Sequence, residues 1–282
     1  MIENRPWHDR LAHAVLLLGV AAVAFPIWIA FVASTHDAVR MVQVPLPLLP
    51  GDQFWTNFQV AMGRGMKGAA GQPASTMLFN SLIMALGIAA GKIAISLLSA
   101  FAIVYFRFPF RMGFFWMIFI TLMLPVEVRI LPTFEVVADL GMLNSYPGLI
   151  IPLIASATAT FMFRQVFLTV PDELLEAARI DGAGPLRFFI DILVPLSRTN
   201  IAALFVILFI YGWNQYLWPL LITTEQELYT IVMGIKQMLE AAEQSPEWNV
   251  IMMTTILAML PPVLVVIGMQ KLFVQGLTET EK

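Results

Sequence analysis

The side chains that could carry out chemistry in this chain are few and scattered. Cysteine is absent, and the three histidines, His8, His13 and His36, show no spacing typical of metal ligands. The sequence contains no G-x-S-x-G or H-E-x-x-H motif and no Walker-A motif, since its one Gly-Lys pair, Gly91-Lys92, lies within an apolar segment. We therefore predict that the chain is not an enzyme and binds no metal or cofactor of its own.

Isolated polar and charged residues in or beside apolar segments are the remaining candidates for a functional site. An ionised side chain at the centre of a bilayer costs about 2.5–3.5 kcal/mol or more, so such a residue needs a partner, water or a function. Lys92 either faces a pathway for a solute, or lies nearer the cytoplasmic surface and snorkels or pairs with a neighbouring helix. The candidate pathway residues are Asn80, Lys92, Glu127, Arg129, Asn214 and Gln215.

The other candidates have alternative interpretations of the same kind. Glu127 and Arg129 follow an apolar segment and either belong to a gate or form an ordinary solvated helix end. Asn214 and Gln215 place amides late in another apolar segment, where they either line a cavity or clasp a neighbouring helix. Asn80 has the same two interpretations.

The composition indicates which solvent surrounds these residues. Hydrophobic residues make up 59% of the 282 residues, charged residues 12%, and the mean hydropathy is +0.80, whereas soluble domains have about 25% charged residues. So few charges cannot cover the surface of a soluble globule of 31.5 kDa. A net charge of −3 offers no electrostatic footprint for nucleic acid. The sequence predicts a membrane protein that contacts lipid and binds no nucleic acid.

Apolar segments of about 20 residues predict membrane-spanning helices. The first segment, residues 11–32, is longer than the apolar core of a signal peptide, which is about 7–15 residues, and we expect it to be retained. The chain is predicted to be an all-α polytopic membrane protein with a single transmembrane domain over residues 1–282. Its six predicted spans are residues 11–32, 77–106, 112–126, 147–163, 199–222 and 250–270.

The Lys and Arg residues near the membrane predict the orientation, because cytoplasmic loops carry an excess of them. With both termini in the cytoplasm, the inner segments hold twice as many of these residues as the outer segments. We therefore expect cytoplasmic N- and C-termini. This orientation leaves a cytoplasmic loop between the fourth and fifth spans, residues 168–198, that is long enough to form structure of its own.

Local signals in residues 168–198 predict two short helices joined by a turn. Pro171 is favourable at a helix start, and Asp172 lies where the helix dipole favours negative charge. Gly182 is expected to end this helix in a left-handed conformation, and Pro185 to start the second helix. The first helix is acidic and has small residues beside an apolar edge, which favours docking of a partner protein. The alternative is a helix resting on lipid headgroups, for which basic residues are typical.

The residues of this loop resemble the EAA loop of ABC importer permeases. The family has leucine where this chain has Val194, a change that keeps an apolar side chain. Stretches at residues 1–7, 119–133 and 211–220 resemble the permeases of sn-glycerol-3-phosphate importers, which are of the carbohydrate-importing type. The loop pattern is Glu176-Ala177-Ala178, three residues, Gly182, nine residues, Ile192, one residue, Val194-Pro195.

This resemblance implies a fold, partners and site residues. The implied fold is that of a type I ABC importer permease with six transmembrane helices and a cytoplasmic EAA coupling hairpin. The implied partners are a homologous second permease in a heterodimer, two ATP-binding subunits that hold ATP and Mg, and a periplasmic substrate-binding protein. In this family the EAA helices seat in a cleft of the ATPase. The implied coupling residues are Glu176, Ala177, Ala178, Asp181, Gly182 and Pro195.

The resemblance also implies a function, which is uptake of sn-glycerol-3-phosphate or a related phosphodiester across the bacterial inner membrane. If Lys92 faces the pathway, it would attract the phosphate. A sugar-specific permease of the same family is the alternative function. An ion-coupled secondary transporter is a further alternative, but such transporters usually have repeated halves, and the sequence has no convincing repeat.

Overall fold

The computed structural model describes residues 6–66, 72–121, 124, 126–243 and 246–278. In these residues the secondary structure is helical, with turns and loops but no β-strand. The helices are, in chain order, α1 (Pro6–Ser34), α2 (Ala38–Met41), α3 (Phe54–Gly63), α4 (Ala74–Tyr105), α5 (Arg111–Ile120), α6 (Val126–Asp139), α7 (Tyr146–Ile150), α8 (Ala157–Leu168), α9 (Asp172–Ile180), α10 (Pro185–Phe188), α11 (Val194–Leu196), α12 (Arg198–Trp213), α13 (Leu217–Ile222), α14 (Ile231–Ala241) and α15 (Trp248–Thr278).

Three helices are long and apolar enough to cross a membrane. They are the Arg10–Ser34 part of α1, the whole of α4, and the Trp248–Gln270 part of α15. At about 1.5 Å per residue, each is long enough to cross a hydrocarbon core of about 30 Å. These helices coincide with the first, second and sixth predicted spans.

The fourth predicted span, residues 147–163, is a bent pair rather than one straight helix. Tyr146–Leu153 and Ala157–Leu168 meet at an angle of 50°. Ser156 has extended backbone, and its side chain accepts a hydrogen bond from the backbone N–H of Ala159. This is the usual contact at a helix start, so a new helix begins there although no charged residue interrupts the apolar segment.

The fifth predicted span, residues 199–222, also lies in more than one helix. Helix α12 ends at Trp213, residues 214–216 are not helical, and α13 follows. Helix α12 is about 24 Å long, which is shorter than the hydrocarbon core. On its N-terminal side, Pro185–Leu196 meets α12 at 73°.

The third predicted span, residues 112–126, corresponds to a shorter helix. Helix α5 has 10 residues and is therefore about 15 Å long. Residues 122, 123 and 125 lie outside the described part of the chain. By length and composition the described residues contain three spans, or up to five if each bent pair is one span. The count of six stays a prediction.

The helices belong to two compact units, the first of which is residues 1–77 with 234–260. Asn57 connects helices within this first unit. The side-chain amide of Asn57 donates hydrogen bonds to the carbonyls of Ser34 at 2.9 Å and His36 at 2.7 Å. Its Oδ1 accepts a hydrogen bond from Nδ2 of Asn249 at 2.7 Å. These buried contacts connect the ends of α1, α3 and α15, and losing one would leave a buried polar group without a partner.

The second unit, residues 78–233 with 261–282, has an apolar core to which α4, α6, α7 and α13 contribute. Within this core Nε1 of Trp218 donates a hydrogen bond to the carbonyl of Gly148 at 3.1 Å, which satisfies the polar atom of a large buried ring. The core holds α13 in place after the break at residues 214–216. Its buried residues are Met84, Ile88, Val137, Leu149, Trp218 and Ile222.

Helix α12 approaches α4 most closely where the sequence has Gly212. A Cβ atom at this position would lie 2.9 Å from Cα of Ala85, so any side chain there would push backbone against backbone. Such small residues allow helices to pack closely inside a membrane.

We predict that Gly212→Ala destabilises the protein by about 1–3 kcal/mol, the usual range for overpacking. The matched control is Gly268→Ala, because that glycine also lies within a helix but a Cβ there has nothing within 4 Å. In the control, alanine should be neutral or stabilising by about 0.5–1 kcal/mol because glycine is a poor helix former. Thermal unfolding of the purified protein in one detergent measures both variants. Equal melting temperatures for the two variants would contradict the close packing.

Candidate functional site

The coupling segment, defined as residues 168–198, contains helix α9 and, after a glycine turn, a helical stretch over Pro185–Leu196 that includes α10 and α11. Asp172 lies in the first turn of α9, where the helix dipole favours negative charge. Gly182 has a φ of +73°, a left-handed conformation that glycine adopts at no steric cost. The backbone N–H of Ala183 donates to the carbonyl of Ala178 at 2.8 Å, a bond that satisfies a carbonyl at the end of the helix.

Of the residues assigned to coupling, most are exposed and one is buried. Ala178 is 5% exposed and lines a cavity of about 250 Å³ with Phe101 and Phe188. Ala178 therefore faces the chain's own helices, which leaves the other five available to a partner. The exposed residues are Glu176, Ala177, Asp181, Gly182 and Pro195.

Large apolar side chains are also exposed on the coupling segment. Ile180 is 86% exposed and Leu186 is 65% exposed, and Ile190 and Leu196 are exposed as well. Single exposed apolar residues are ordinary. With Leu168 and Leu174 the segment exposes six of them, which indicates a surface that contacts a protein or a membrane.

Charged residues of both signs surround the exposed edge of α9. Glu176 and Arg179 line an open cavity of about 540 Å³ together with Asp172, Arg107 and Arg111. The cavity has basic residues from the end of α4 and the start of α5, and acidic residues from α9. Such an arrangement gives a partner protein both attractive and repulsive contacts, and these fix how it docks.

An aromatic junction, defined as Phe101, Tyr105, Phe167, Phe188 and Phe189, ties the coupling segment to α4. The ring centroids of Phe101 and Phe189 are 4.9 Å apart, and those of Tyr105 and Phe188 are 5.3 Å apart. The hydroxyl of Tyr105 donates a hydrogen bond to the carbonyl of Phe167 at 3.3 Å. Because aromatic rings bury large apolar surfaces when they pack closely, the coupling segment is in direct packing contact with α4.

Asn80 makes a structural contact with the segment that precedes α14. Its Nδ2 donates hydrogen bonds to the carbonyls of Glu227 at 2.7 Å and Tyr229 at 3.0 Å. Its Oδ1 accepts a hydrogen bond from the hydroxyl of Tyr146 at 2.6 Å. Both ends of the amide are therefore engaged, as in the interpretation in which Asn80 clasps another element.

Lys92 is a buried cation inside α4. The residue is 7% exposed. At 1.5 Å per residue, Lys92 lies about 20 Å from Tyr105 along the helix axis. Its Nζ lies 3.9 Å from the ring centroid of Tyr211, a cation–π contact that offsets part of the cost of burial. In the described part of the chain, ion pairs form at Arg187 and at Lys236 but not at Lys92.

Lys92, Arg129 and Tyr211 together line two cavities, and we call these three residues the cation site. The smaller cavity has a volume of about 120 Å³ and is also lined by Thr133 and Gln215. The larger has a volume of about 520 Å³. Helices α4, α6 and α12 each provide one residue of the cation site. The fold therefore brings together Lys92 and Arg129, which the sequence analysis treats as separate candidates.

The remaining pathway candidates have other positions. The backbone of Glu127 lies in α6, but its side chain lies outside the described part of the structure. Asn214 is exposed and follows the last residue of α12, where its backbone N–H donates to the carbonyl of Ile210 at 3.0 Å. Gln215 borders the smaller cavity, and its side-chain amide donates to the carbonyl of Tyr211 at 3.1 Å.

The sequence reasoning missed Tyr211 and the aromatic junction. Tyr211 lies four residues before Gln215, in a stretch that the sequence analysis considered for its amides and its family resemblance but not for this ring. The clusters of Phe and Tyr near residues 101–106 and 188–189 were a possible signal. Their contact joins positions more than 80 residues apart, which periodicity alone does not reveal.

Comparison with solved structures identifies the fold. A chain of the crystal structure of a bacterial ABC transporter involved in the import of the acidic polysaccharide alginate matches with a TM-score of 0.79 and 21% identity. The match covers 96% of this chain and 98% of that chain. This likeness concerns the fold alone. The protein is an all-α, multi-pass membrane protein with the fold of an ABC importer permease.

Comparison with other sequences identifies the family. The sn-glycerol-3-phosphate transport system permease proteins UgpE of Agrobacterium fabrum, Brucella melitensis and Escherichia coli are 61%, 58% and 58% identical to this chain. Each match covers 282 residues, 100% of this chain and 100% of the relative. The model of the family described as "Binding-protein-dependent transport system inner membrane component" matches residues 92–279. The chain therefore belongs to the family of inner-membrane components of binding-protein-dependent transport systems.

Proposed function

We propose that this chain is the permease subunit of an ATP-driven importer that carries sn-glycerol-3-phosphate, or a related phosphodiester, across the bacterial inner membrane. The observation that carries this proposal is the full-length identity of 57–61% to permeases named for sn-glycerol-3-phosphate transport. Two cations, Lys92 and Arg129, line the same two cavities, which agrees with a solute that carries phosphate.

The proposed importer contains several further chains. They are a homologous second permease that forms a heterodimer with this one, two ATP-binding subunits and a periplasmic substrate-binding protein. The absence of a Walker-A motif supports placing ATP and Mg on partner subunits. A bacterial alginate ABC transporter in complex with a pentasaccharide-bound periplasmic protein matches this chain with a TM-score of 0.55 and 15% identity, which supports an importer of this architecture.

The proposed orientation places the N- and C-termini and the coupling segment in the cytoplasm. The excess of Lys and Arg in the inner segments supports this arrangement. In this orientation the exposed face of α9, with Glu176, Ala177, Asp181 and Gly182, docks on an ATP-binding subunit, while Pro195 lies further along the same segment. Ala178 anchors α9 from its buried side.

Coupling then has a physical route through this chain. When the ATP-binding subunits close, they displace α9, and the aromatic junction passes the displacement to the C-terminal end of α4. Helix α4 also carries Lys92, so the same rigid element joins the docking surface to the proposed solute pathway. In this proposal the pathway includes Lys92, Arg129 and Gln215. Glu127 and Asn214 remain candidates for it.

The function is tested by transport in proteoliposomes that contain the permease pair, the ATP-binding subunits and the binding protein. We expect uptake of radiolabelled sn-glycerol-3-phosphate that requires ATP and stops when the binding protein is left out. Uptake that follows an ion gradient without ATP, or uptake of a neutral sugar in place of sn-glycerol-3-phosphate, would contradict the proposal.

We predict that Gly182→Val uncouples ATP hydrolysis from uptake. Valine in a left-handed conformation costs about 1–2 kcal/mol, so the turn after α9 should shift and uptake should fall about tenfold while the complex still inserts. The control is Gly184→Val, because Gly184 has a φ of −71° and its Cβ would meet nothing within 4 Å. Uptake and ATP hydrolysis are measured on the same preparation. Unchanged uptake by Gly182→Val would argue against the role of this turn.

We also predict that Ile180→Glu prevents the ATP-binding subunits from copurifying with the permease. The side chain is 86% exposed in this chain, so the substitution should leave the permease itself folded, but a charge buried against a partner without a pair is costly. Val44→Glu is the control, since Val44 is 93% exposed and lies far from the coupling segment in sequence. Normal recovery of the ATP-binding subunits with the Ile180 variant would show that no partner covers this residue.

A further inference from the structure

The cation site has two positive charges in one place and no described counter-charge. Within the described residues, neither Lys92 nor Arg129 forms an ion pair. Lys92 is more than nine-tenths buried, and the ring of Tyr211 covers one side of its ammonium group at 3.9 Å. Lys92 is buried whereas Arg129 is exposed, so an anion bound between them would offset the repulsion that the buried ammonium group experiences from a like charge.

The geometry around the two cations suits an anion that enters the cavities. Lys92 and Arg129 border both the cavity of about 120 Å³ and that of about 520 Å³, so both charges act on an anion that enters either one. A lysine supplies a compact charge with three donors, and an arginine supplies a planar fork that binds two oxygen atoms. Together they match a group with several oxygen atoms and more than one negative charge.

We propose that the cation site binds the phosphate of the transported solute inside this permease subunit. This inference rests on the proposed function. It assigns this chain a solute-binding role of its own, in addition to opening and closing a pathway. A phosphomonoester carries a charge of about −1.5 to −2 near neutral pH and three strong acceptor oxygens, which fits two cations better than a neutral sugar does.

Hydroxyl groups in the larger cavity provide contacts for the rest of the solute. Ser99, Thr121 and Thr158 line the larger cavity together with the cation site. These side chains both donate and accept hydrogen bonds, so they match the hydroxyls of a glycerol group. The amide of Gln215 borders the smaller cavity.

A phospholipid headgroup has the same phosphate chemistry as the solute and is the other source of such a group in a membrane. The small polar lining residues favour a small hydrophilic solute. The two sources are distinguished by reconstituting the importer in phosphatidylcholine alone and in phosphatidylcholine with phosphatidylglycerol. The zwitterionic headgroup is common to both preparations, and an anionic headgroup that occupied the site would compete with the solute only in the second.

The experiment measures equilibrium binding of radiolabelled sn-glycerol-3-phosphate to the assembled importer without its binding protein. We expect saturable binding in both lipids that unlabelled sn-glycerol-3-phosphate displaces and glycerol does not. Lys92→Met and Arg129→Met should each weaken binding at least about tenfold, because a hydrogen bond to a charged group is stronger than a neutral one. Lys92→Arg, which keeps the charge, should recover most of the affinity. Lys236→Met is the control, since Lys236 forms an exposed pair with Glu240.

The same variants are compared in ATP-driven uptake with the binding protein present. Lys92→Met should raise the KM for sn-glycerol-3-phosphate about tenfold, while the stimulation of ATP hydrolysis by the loaded binding protein stays normal. Normal uptake by wild type together with unchanged binding and KM in Lys92→Met and Arg129→Met would overturn the inference and leave the proposed function intact. If wild type binds sn-glycerol-3-phosphate only in the preparation without phosphatidylglycerol, the site binds a lipid headgroup, and this result would also overturn the inference. Absence of ATP-driven uptake by wild type would instead overturn the proposed function.

Discussion

The absence of water inside a bilayer is the constraint on which this structure depends, because every polar group at that depth needs a partner within the protein. The chain satisfies this demand with specific side chains at several of the places where its helices stop. Ser156 caps the helix that follows the bend between α7 and α8. Asn80 holds two carbonyls of the segment before α14. Asn144 serves the same segment, since its Oδ1 accepts hydrogen bonds from the backbone N–H groups of Thr224 and Glu225.

The same constraint applies to Lys92, the buried lysine of α4, because a charge inside a membrane also needs a partner, water or a function. Lys92 forms no ion pair among the described residues, and it faces Tyr211 and the cavities that it shares with Arg129. Helix α4 thus carries a charge in its middle and the aromatic junction near its C-terminal end. In our proposal this single helix links the surface that ATP-binding subunits move to the place where the solute's phosphate binds.

The sequence predicted the features that depend on local chemistry. The long uncharged segments predicted the helices now seen at Arg10–Ser34, Ala74–Tyr105 and Trp248–Gln270, because hydrocarbon selects apolar side chains along the whole length of a span. Gly182 was expected to take a left-handed conformation, and its φ of +73° agrees, because only local sterics decide that angle. The family was also correctly inferred from motif residues.

The sequence did not predict features that depend on contacts between distant segments. The breaks at residues 154–156 and 214–216 carry no charge, so hydropathy did not separate them from a straight span. Arg129 was considered as part of a helix end, whereas the fold places it beside Lys92, which lies in another helix. The burial of Ala178 also depends on the aromatic junction, which no local pattern reveals.

Site-specific cross-linking from α9 tests the central claim, that this helix is where ATP-binding subunits move the permease. The chain has no cysteine, so Ala177→Cys introduces a unique thiol on an exposed position of the EAA motif. In the assembled, transporting importer, this thiol should cross-link to an ATP-binding subunit, and the cross-link should block uptake. A thiol that stays free of any ATP-binding subunit while the importer continues to transport would contradict the account.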